Sequence, residues 1–146
     1  MVNVGFRLSC SHSLSLHNLE MPNQKTDNLP TFFVRSVTFD LERLLLVLED
    51  GTGNQLLELS FAPPRAYRVY AESDNWQYLN EFTGCPLVQS ADPGCGVELS
   101  SNAPYLHEYR ANMRAQEPEK TFSCLIRTPD HCVEVICFEQ PAVRLL

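Results

Sequence analysis

Apolar and polar residues alternate from Phe32 to Phe39, with Phe33, Arg35, Val37 and Phe39 on one side and Phe32, Val34, Ser36 and Thr38 on the other. Enrichment in Phe, Val and Thr suits a pleated surface, so a first strand is predicted there. Two apolar runs follow, ERLLLVLE at 42–49 and QLLELSF at 55–61, on either side of Asp50-Gly51-Thr52-Gly53-Asn54. Glycines that tolerate positive φ between two such runs predict a β-hairpin. Because 44–48 is apolar without a break, its strand is expected to be central and covered on both faces. Pro63-Pro64 then withholds two ladder donors, and the strand-like RAYRVYA at 65–71 predicts a third partner strand after that corner.

Ser73 or Asp74 is placed to cap a short helix running to Phe82, with Trp76, Leu79 and Phe82 on one face and Gly84 ending it. Residues 85–102 hold prolines, glycines and serines and read as a long surface loop with one short strand at 97–99. Over 104–116, Leu106, Tyr109 and Met113 fit a helical face with Pro104 in the first turn, while Tyr105, His107 and Tyr109 would fit a strand; the helix is favoured. A closing hairpin is predicted from FSCLIR at 122–127, a Thr128-Pro129-Asp130-His131 turn, and CVEVICFE at 132–139. If Arg127 faces Cys132, then Phe122, Cys124, Ile126, Val133, Val135 and Cys137 share a core face, while Cys132 and Glu134 point the other way. The sum is an α+β domain: a mostly antiparallel, hairpin-rich sheet of about five or six strands with one or two packed helices. Residues 1–31 have no sustained period and read as a flexible leader or extension, with Met21 as an alternative start, and 32–146 as the single globular domain.

The chain has 146 residues, 44% hydrophobic and 20% charged, which is the composition of one globular domain. Eleven Lys and Arg against 18 Asp and Glu leave a formal charge of −7. That balance argues against nucleic acid, whose phosphates need clustered positive charge, and favours a protein partner with a basic surface. No run of about 18 apolar residues is available to cross a bilayer, so no membrane association is expected. Arg7, Ser9, His12, Ser13 and His17 break every export-signal-like run, and a cytoplasmic location is expected.

Six cysteines occur without any CxxC pair, and with only four histidines no zinc pattern forms. Cys85 and Cys95 are the pair best suited to a disulfide, although packed or exposed thiols are the commoner outcome in a reducing compartment. Cys132 follows His131, but Glu134 on its face would raise the thiol pKa rather than activate it. His107 and His131 would serve acid/base catalysis only if they met beside a cation such as Arg110 or Arg127. The carboxylate pairs fall at strand ends and turns, and the 50–54 turn lacks the spaced acidic positions of a calcium loop. Phosphate-cradling and nucleophile-elbow motifs do not occur, so no cofactor and no metal is expected. What remains is a surface set of Trp76, Tyr67, Tyr70, Tyr78, Arg65 and Arg68, residue types common at interface anchors.

Two stretches, FAPPRAYRVYAE at 61–72 and FSCLIRTPDHCVEVICFEQPAV at 122–143, resemble small bacterial proteins, among them immunity proteins of toxin systems. The resemblance rests on the Arg-rich aromatic strand with its acidic residue, and on Thr128, Asp130, Val133, Glu134, Val135, Ile136 and Pro141. It implies an antiparallel scaffold and a toxin-neutralising binder, and supplies no catalytic residue. The expected function is therefore a non-enzymatic protein-binding domain, of the kind that inhibits a basic toxin, with Glu72, Asp74, Trp76, Glu108, Asp130 and Glu134 as partner-binding residues. The rival readings are a small hydrolase or nuclease built on His107, His131 or a cysteine, and a self-associating module that forms a homodimer through an exposed sheet edge.

Overall fold

The structure, a computed structural model, describes residues 29–71, 84–92, 94–112 and 121–146. The helix expected after Ser73 lies outside these residues, as do Glu72, Asp74, Trp76 and positions 1–28. Among the described residues, nine strands and one helix follow in order: β1 (Phe32–Phe39), β2 (Leu44–Asp50), β3 (Leu56–Phe61), β4 (Ala66–Ala71), β5 (Cys85–Gln89), β6 (Gly96–Ser100), α1 (Pro104–Asn112), β7 (Phe122–Arg127), β8 (His131–Cys137) and β9 (Ala142–Leu145). The strands exceed the five or six expected because they form two sheets, ordered β1-β2-β3-β9 and β4-β8-β7-β6-β5, with every strand pair antiparallel.

The 50–54 turn joins β2 to β3 as its composition predicts. Asp50 Oδ1 accepts hydrogen bonds from the Asn54 and Gln55 amides, the Thr52 hydroxyl donates to the same carboxylate, and Gly53 supplies a φ of +71°. β2 is central in its sheet, but Leu45 and Val47 are only half-buried, so one face alone is enclosed. In β1 the register slips between Val34 and Ser36, which resets the alternation at Arg35 and turns both Val34 and Val37 toward the core. The Pro63-Pro64 corner does not add a third strand to the first hairpin. It carries the chain across to the second sheet, where β4 pairs with β8.

Residues 85–102, expected as a loop with one short strand at 97–99, hold that strand within β6 and add β5 to it as a hairpin. Gly96 makes this possible. With φ at +142°, any Cβ there would lie 2.6 Å from the Val88 carbonyl oxygen, closer than real atoms approach. Leu29, expected within the leader, is buried and bridges to Ser90, and its carbonyl accepts from the Ala91 amide at 2.8 Å.

The two sheets close on one core. Leu44, Leu46 and Leu48 of β2 and Leu57, Leu59 and Phe61 of β3 meet Val97, Leu99, Cys124, Ile126, Val133, Val135 and Cys137 of the second sheet. Each such side chain contributes about 1.5–3 kcal/mol on burial. The β7–β8 hairpin has Arg127 opposite Cys132, so its inward residues are those the alternation predicts. On the other face of this sheet, Leu106 and Ala103 pack over Leu125, Cys132 and Ile136. The second sheet is thus the middle of three layers, and β7 and β8 are the strands covered on both faces.

Candidate functional site

Four strands end the two sheets, and an unpaired strand edge is a template for another chain unless something blunts it. β5 carries Pro86 and a register slip between Pro86 and Val88. β1 carries the irregularity at Arg35, whose side chain reaches Glu49 at 3.4 Å. β9 is four residues long and holds Arg144, paired with Glu58 at 2.9 Å. β4 has none of these devices: its six residues pair in unbroken register with β8 and contain no proline.

Side chains beside this edge are apolar. Tyr67 and Val69 stand opposite the core residues Val135 and Val133, yet remain 39% and 46% exposed because no strand of the first sheet covers them among the described residues. The ring of Phe39, 41% exposed, lies 6.0 Å from that of Tyr67. Leu41 follows in the β1–β2 turn, 80% exposed and with φ at +71°. A leucine in the left-handed region costs about 1–2 kcal/mol. The turn holds it there through hydrogen bonds from the Glu42 and Arg43 amides to Asp40 Oδ1 and from the Asp40 amide to the Arg43 carbonyl.

The opposite face of β4 is polar and pinned. Arg68 Nη2 and Nε donate to Glu134 Oε2 at 2.9 and 3.2 Å, and the Ser123 hydroxyl donates to Glu134 Oε1 at 2.7 Å. The guanidinium sits 4.1 Å from the ring centre of Tyr105 and 5.4 Å from that of Tyr70. Burial, with the nearby Cys132 and Glu134, pushes the Tyr70 phenol well above its ordinary range.

Glu134 therefore departs from its expected place on a partner-facing surface: its side chain is fully buried beneath the helix layer and is spoken for by Arg68 and Ser123. Glu108 is exposed on α1, and Asp130 is exposed in the β7–β8 turn, where it accepts from the Thr128 hydroxyl at 2.7 Å and lies 3.1 Å from His131 Nδ1. Burial alone would raise the Asp130 carboxyl, but the bonds from Thr128 and His131 outweigh it and hold the group below its ordinary value. The two outward acidic residues that can be placed lie on different elements, and no acidic face joins them to β4.

The cations named beside the histidines make other contacts. Arg110 Nη2 donates to the Thr121 carbonyl and hydroxyl, and Arg127 faces Glu98. An open cleft of about 340 Å³ lies along β5 and β6, lined by Pro86, Gln89, Ser90, Cys95 and Glu98, and a second gap has room for about one water. Neither is lined by His107 or His131. In the cleft, burial and the adjacent Asp92 push the Cys95 thiol up to about 12, which leaves it protonated rather than nucleophilic at neutral pH. Cys85 is level with Leu99 and Cys95 precedes Gly96, so they occupy opposite ends of the hairpin, roughly 13 Å apart at strand spacing and beyond the reach of a disulfide. Among the described residues no three metal-ligating side chains cluster, and no helix is long and apolar enough to cross a membrane.

Of the aromatic and Arg set read from the sequence, the structure brings Tyr67 to the exposed edge and places Arg68 and Tyr70 on its covered side. Phe39, Leu41 and Val69 are additions that sequence reasoning missed. The one available signal was the leucine inside the Asp40 to Arg43 turn, where a polar residue or glycine is ordinary. Compared with known family models, curated proteins and solved structures, the chain matches none.

Proposed function

We propose that this chain is a non-enzymatic protein-binding domain whose contact surface is the β4 edge with its apolar flank. The observation that carries this reading is the contrast between edges: three are blunted by proline, irregular register or shortness, while β4 is regular and flanked by exposed Tyr67, Val69 and Phe39. Exposed aromatic and β-branched side chains beside free strand backbone are the means by which sheets accept a further strand. Leu41, two residues on from Phe39 in the β1–β2 turn, is exposed and held at positive φ, which fits a residue kept for contact rather than for folding.

Inhibition of a basic toxin is the specific form suggested by the −7 charge and by the resemblance to immunity proteins. In that form the acidic field speeds encounter and the apolar edge holds the complex. The test is capture of a partner from lysate by the tagged full chain at low and high salt, repeated with Tyr67→Asp/Val69→Asp. A basic partner that weakens with salt and is lost in the double variant supports the reading. Binding that the double variant leaves unchanged removes this surface from consideration.

A further inference from the structure

We infer that the end of β5 is a docking slot for an extended peptide bearing a leucine, and that Leu29-Pro30 of this chain fills the slot as a built-in ligand. The inference is independent of the reading of the β4 edge.

Leu29 meets β5 in the manner of a bound peptide rather than of a sheet strand. Its bridge to Ser90 is isolated and parallel, whereas every strand pair of the two sheets is antiparallel. The Ala91 amide donates to the Leu29 carbonyl at 2.8 Å, and the Ser90 hydroxyl donates to the Pro30 carbonyl at 3.4 Å. Ser90 Oγ is itself held by the Asp92 amide, which donates to it at 3.2 Å. Pro30 has no N–H with which to continue a ladder, so the pairing stops after one residue. Backbone contacts of this kind hold any extended segment, and selection falls to the side chain that accompanies them.

That side chain is a leucine, and the sandwich has a place for it. Leu29 is buried among Phe32, Leu48, Leu57, Val88 and Val97, which also line a gap beside it with room for about one water. The slot thus lies between β2 and β3 of the first sheet and β5 and β6 of the second. A hollow with these walls accepts a branched aliphatic side chain and rejects a charge. Its closure is small. One leucine side chain, one backbone hydrogen bond and one longer hydroxyl contact stand against the freedom that residues 29–31 regain on release, and these opposing quantities are of similar size. A segment of another protein that carries leucine in extended backbone makes the same contacts, and so competes for the slot.

The test is an NMR titration of the full chain with an acetylated, amidated peptide copying residues 27–31, followed at the Val88, Ala91 and Gly96 amides. Leu29→Ala empties the slot and is expected to bind the peptide at least about tenfold more tightly than the wild type, whose tethered leucine competes at an effective concentration in the millimolar range. Leu29→Val keeps most of the packing, should fall between the two, and takes the place of the alanine variant if that variant does not fold. The same peptide with aspartate in place of leucine should bind none of them. Hydrogen exchange on the wild type needs no substitution: the Ala91 amide should exchange through local opening, at least about 100-fold faster than amides of β7 and β8. Three titration results overturn the inference: equal affinity in the wild type and the variants, no shift at about 10 mM peptide, and equal binding of the aspartate peptide. An Ala91 amide that exchanges only on global unfolding overturns it as well.

Discussion

Replacing Arg68 with alanine isolates the energetics of the layer beneath α1. Glu134 is fully buried, and Arg68 reaches one of its carboxylate oxygens from two nitrogens, the shorter contact being 2.9 Å. At that separation and an effective dielectric of about 20, the pair attracts by roughly 5–6 kcal/mol. Desolvation of both ions offsets most of this, so the intact pair adds little net stability. Removing the cation alone is different, because the carboxylate stays buried with Ser123 but without its compensating charge. Such loss costs about 3–5 kcal/mol, and since 29% of the Arg68 side chain is exposed and water can enter in its place, the lower end is expected. Domains of this size are stable by about 5–15 kcal/mol. With urea slopes of about 1–3 kcal/mol per molar, a loss of about 3 kcal/mol should lower the midpoint of unfolding followed by circular dichroism by roughly 1–3 M. The double variant Arg68→Met/Glu134→Leu, which removes both charges and keeps volume, should recover at least half of the loss. A single variant that loses less than about 1 kcal/mol, or a double variant no better than the single, would refute the account of Glu134 as a buried, compensated anion.

Two further outcomes are expected. Leu41→Gly relieves the left-handed backbone at the price of a more flexible unfolded chain, and should stabilise the domain by about 0.5–1 kcal/mol while weakening contact at the β4 edge; a fall in the urea midpoint of that size would mean that the exposed leucine packs productively in the native state. Burial pushes the Cys137 thiol up to about 12 and, with Cys137 alongside, raises Cys124 well above its ordinary value. Both thiols stay protonated in the folded state while those of the unfolded chain ionise, so their contribution is complete below about pH 8.5 and is lost as the pH rises toward the folded values, by up to about 1.4 kcal/mol per pH unit for each thiol. Urea midpoints at pH 8 and pH 10 should show this fall in the wild type and a shallower one in Cys124→Ala/Cys137→Ala; equal slopes would locate the alkaline sensitivity elsewhere.

Period-two alternation made the facing of the last hairpin legible down to the residue. Phe122, Cys124, Ile126, Val133, Val135 and Cys137 lie on the predicted side because one buried face fixes register. The same alternation misplaced Glu134. It tells which residues share a face but not whether a further layer covers that face, and Tyr105 and Leu106 of α1 lie over this one. Leu44 to Leu48 misled in the opposite direction: a continuous apolar run suggested two enclosed faces, whereas Leu45 and Val47 are only half-buried. The β5–β6 hairpin was hidden by Pro86 and the glycines, which mark loops in general but here mark an edge strand, its irregular register and a close approach at Gly96. β9 is too short to show a period at all. Of the candidate surface, Tyr67 was legible as an aromatic anchor, but its neighbours were not. Phe39 belongs to the first sheet and Tyr67 and Val69 to the second, and only the packing of the sheets brings the Phe39 ring to that of Tyr67.

The β4 edge is where the architecture leaves room for a partner. The inward face of the second sheet is filled by the core and much of its outward face by α1, so among the described residues a contact made by this sheet has chiefly its edges to use. Charge does not single out another surface among the described residues, because the arginines are drawn into local pairs: Arg35 with Glu49, Arg43 with Asp40, Arg127 with Glu98 and Arg144 with Glu58. Exposed pairs of this kind contribute little to stability or grip, and they neutralise acidic groups that a basic partner would otherwise meet. In the proposed binding, the net charge of −7 would act mainly at a distance, on encounter rather than on docking. Short-range affinity has to come from apolar area and backbone hydrogen bonds. Within the described structure, β4 offers both together, since β5 and β1 have irregular edges and β9 gives only four residues. Selectivity would then reside in the match of side chains along AYRVYA rather than in charge, which is why introducing charges at Tyr67 and Val69 is more informative than neutralising any acidic residue.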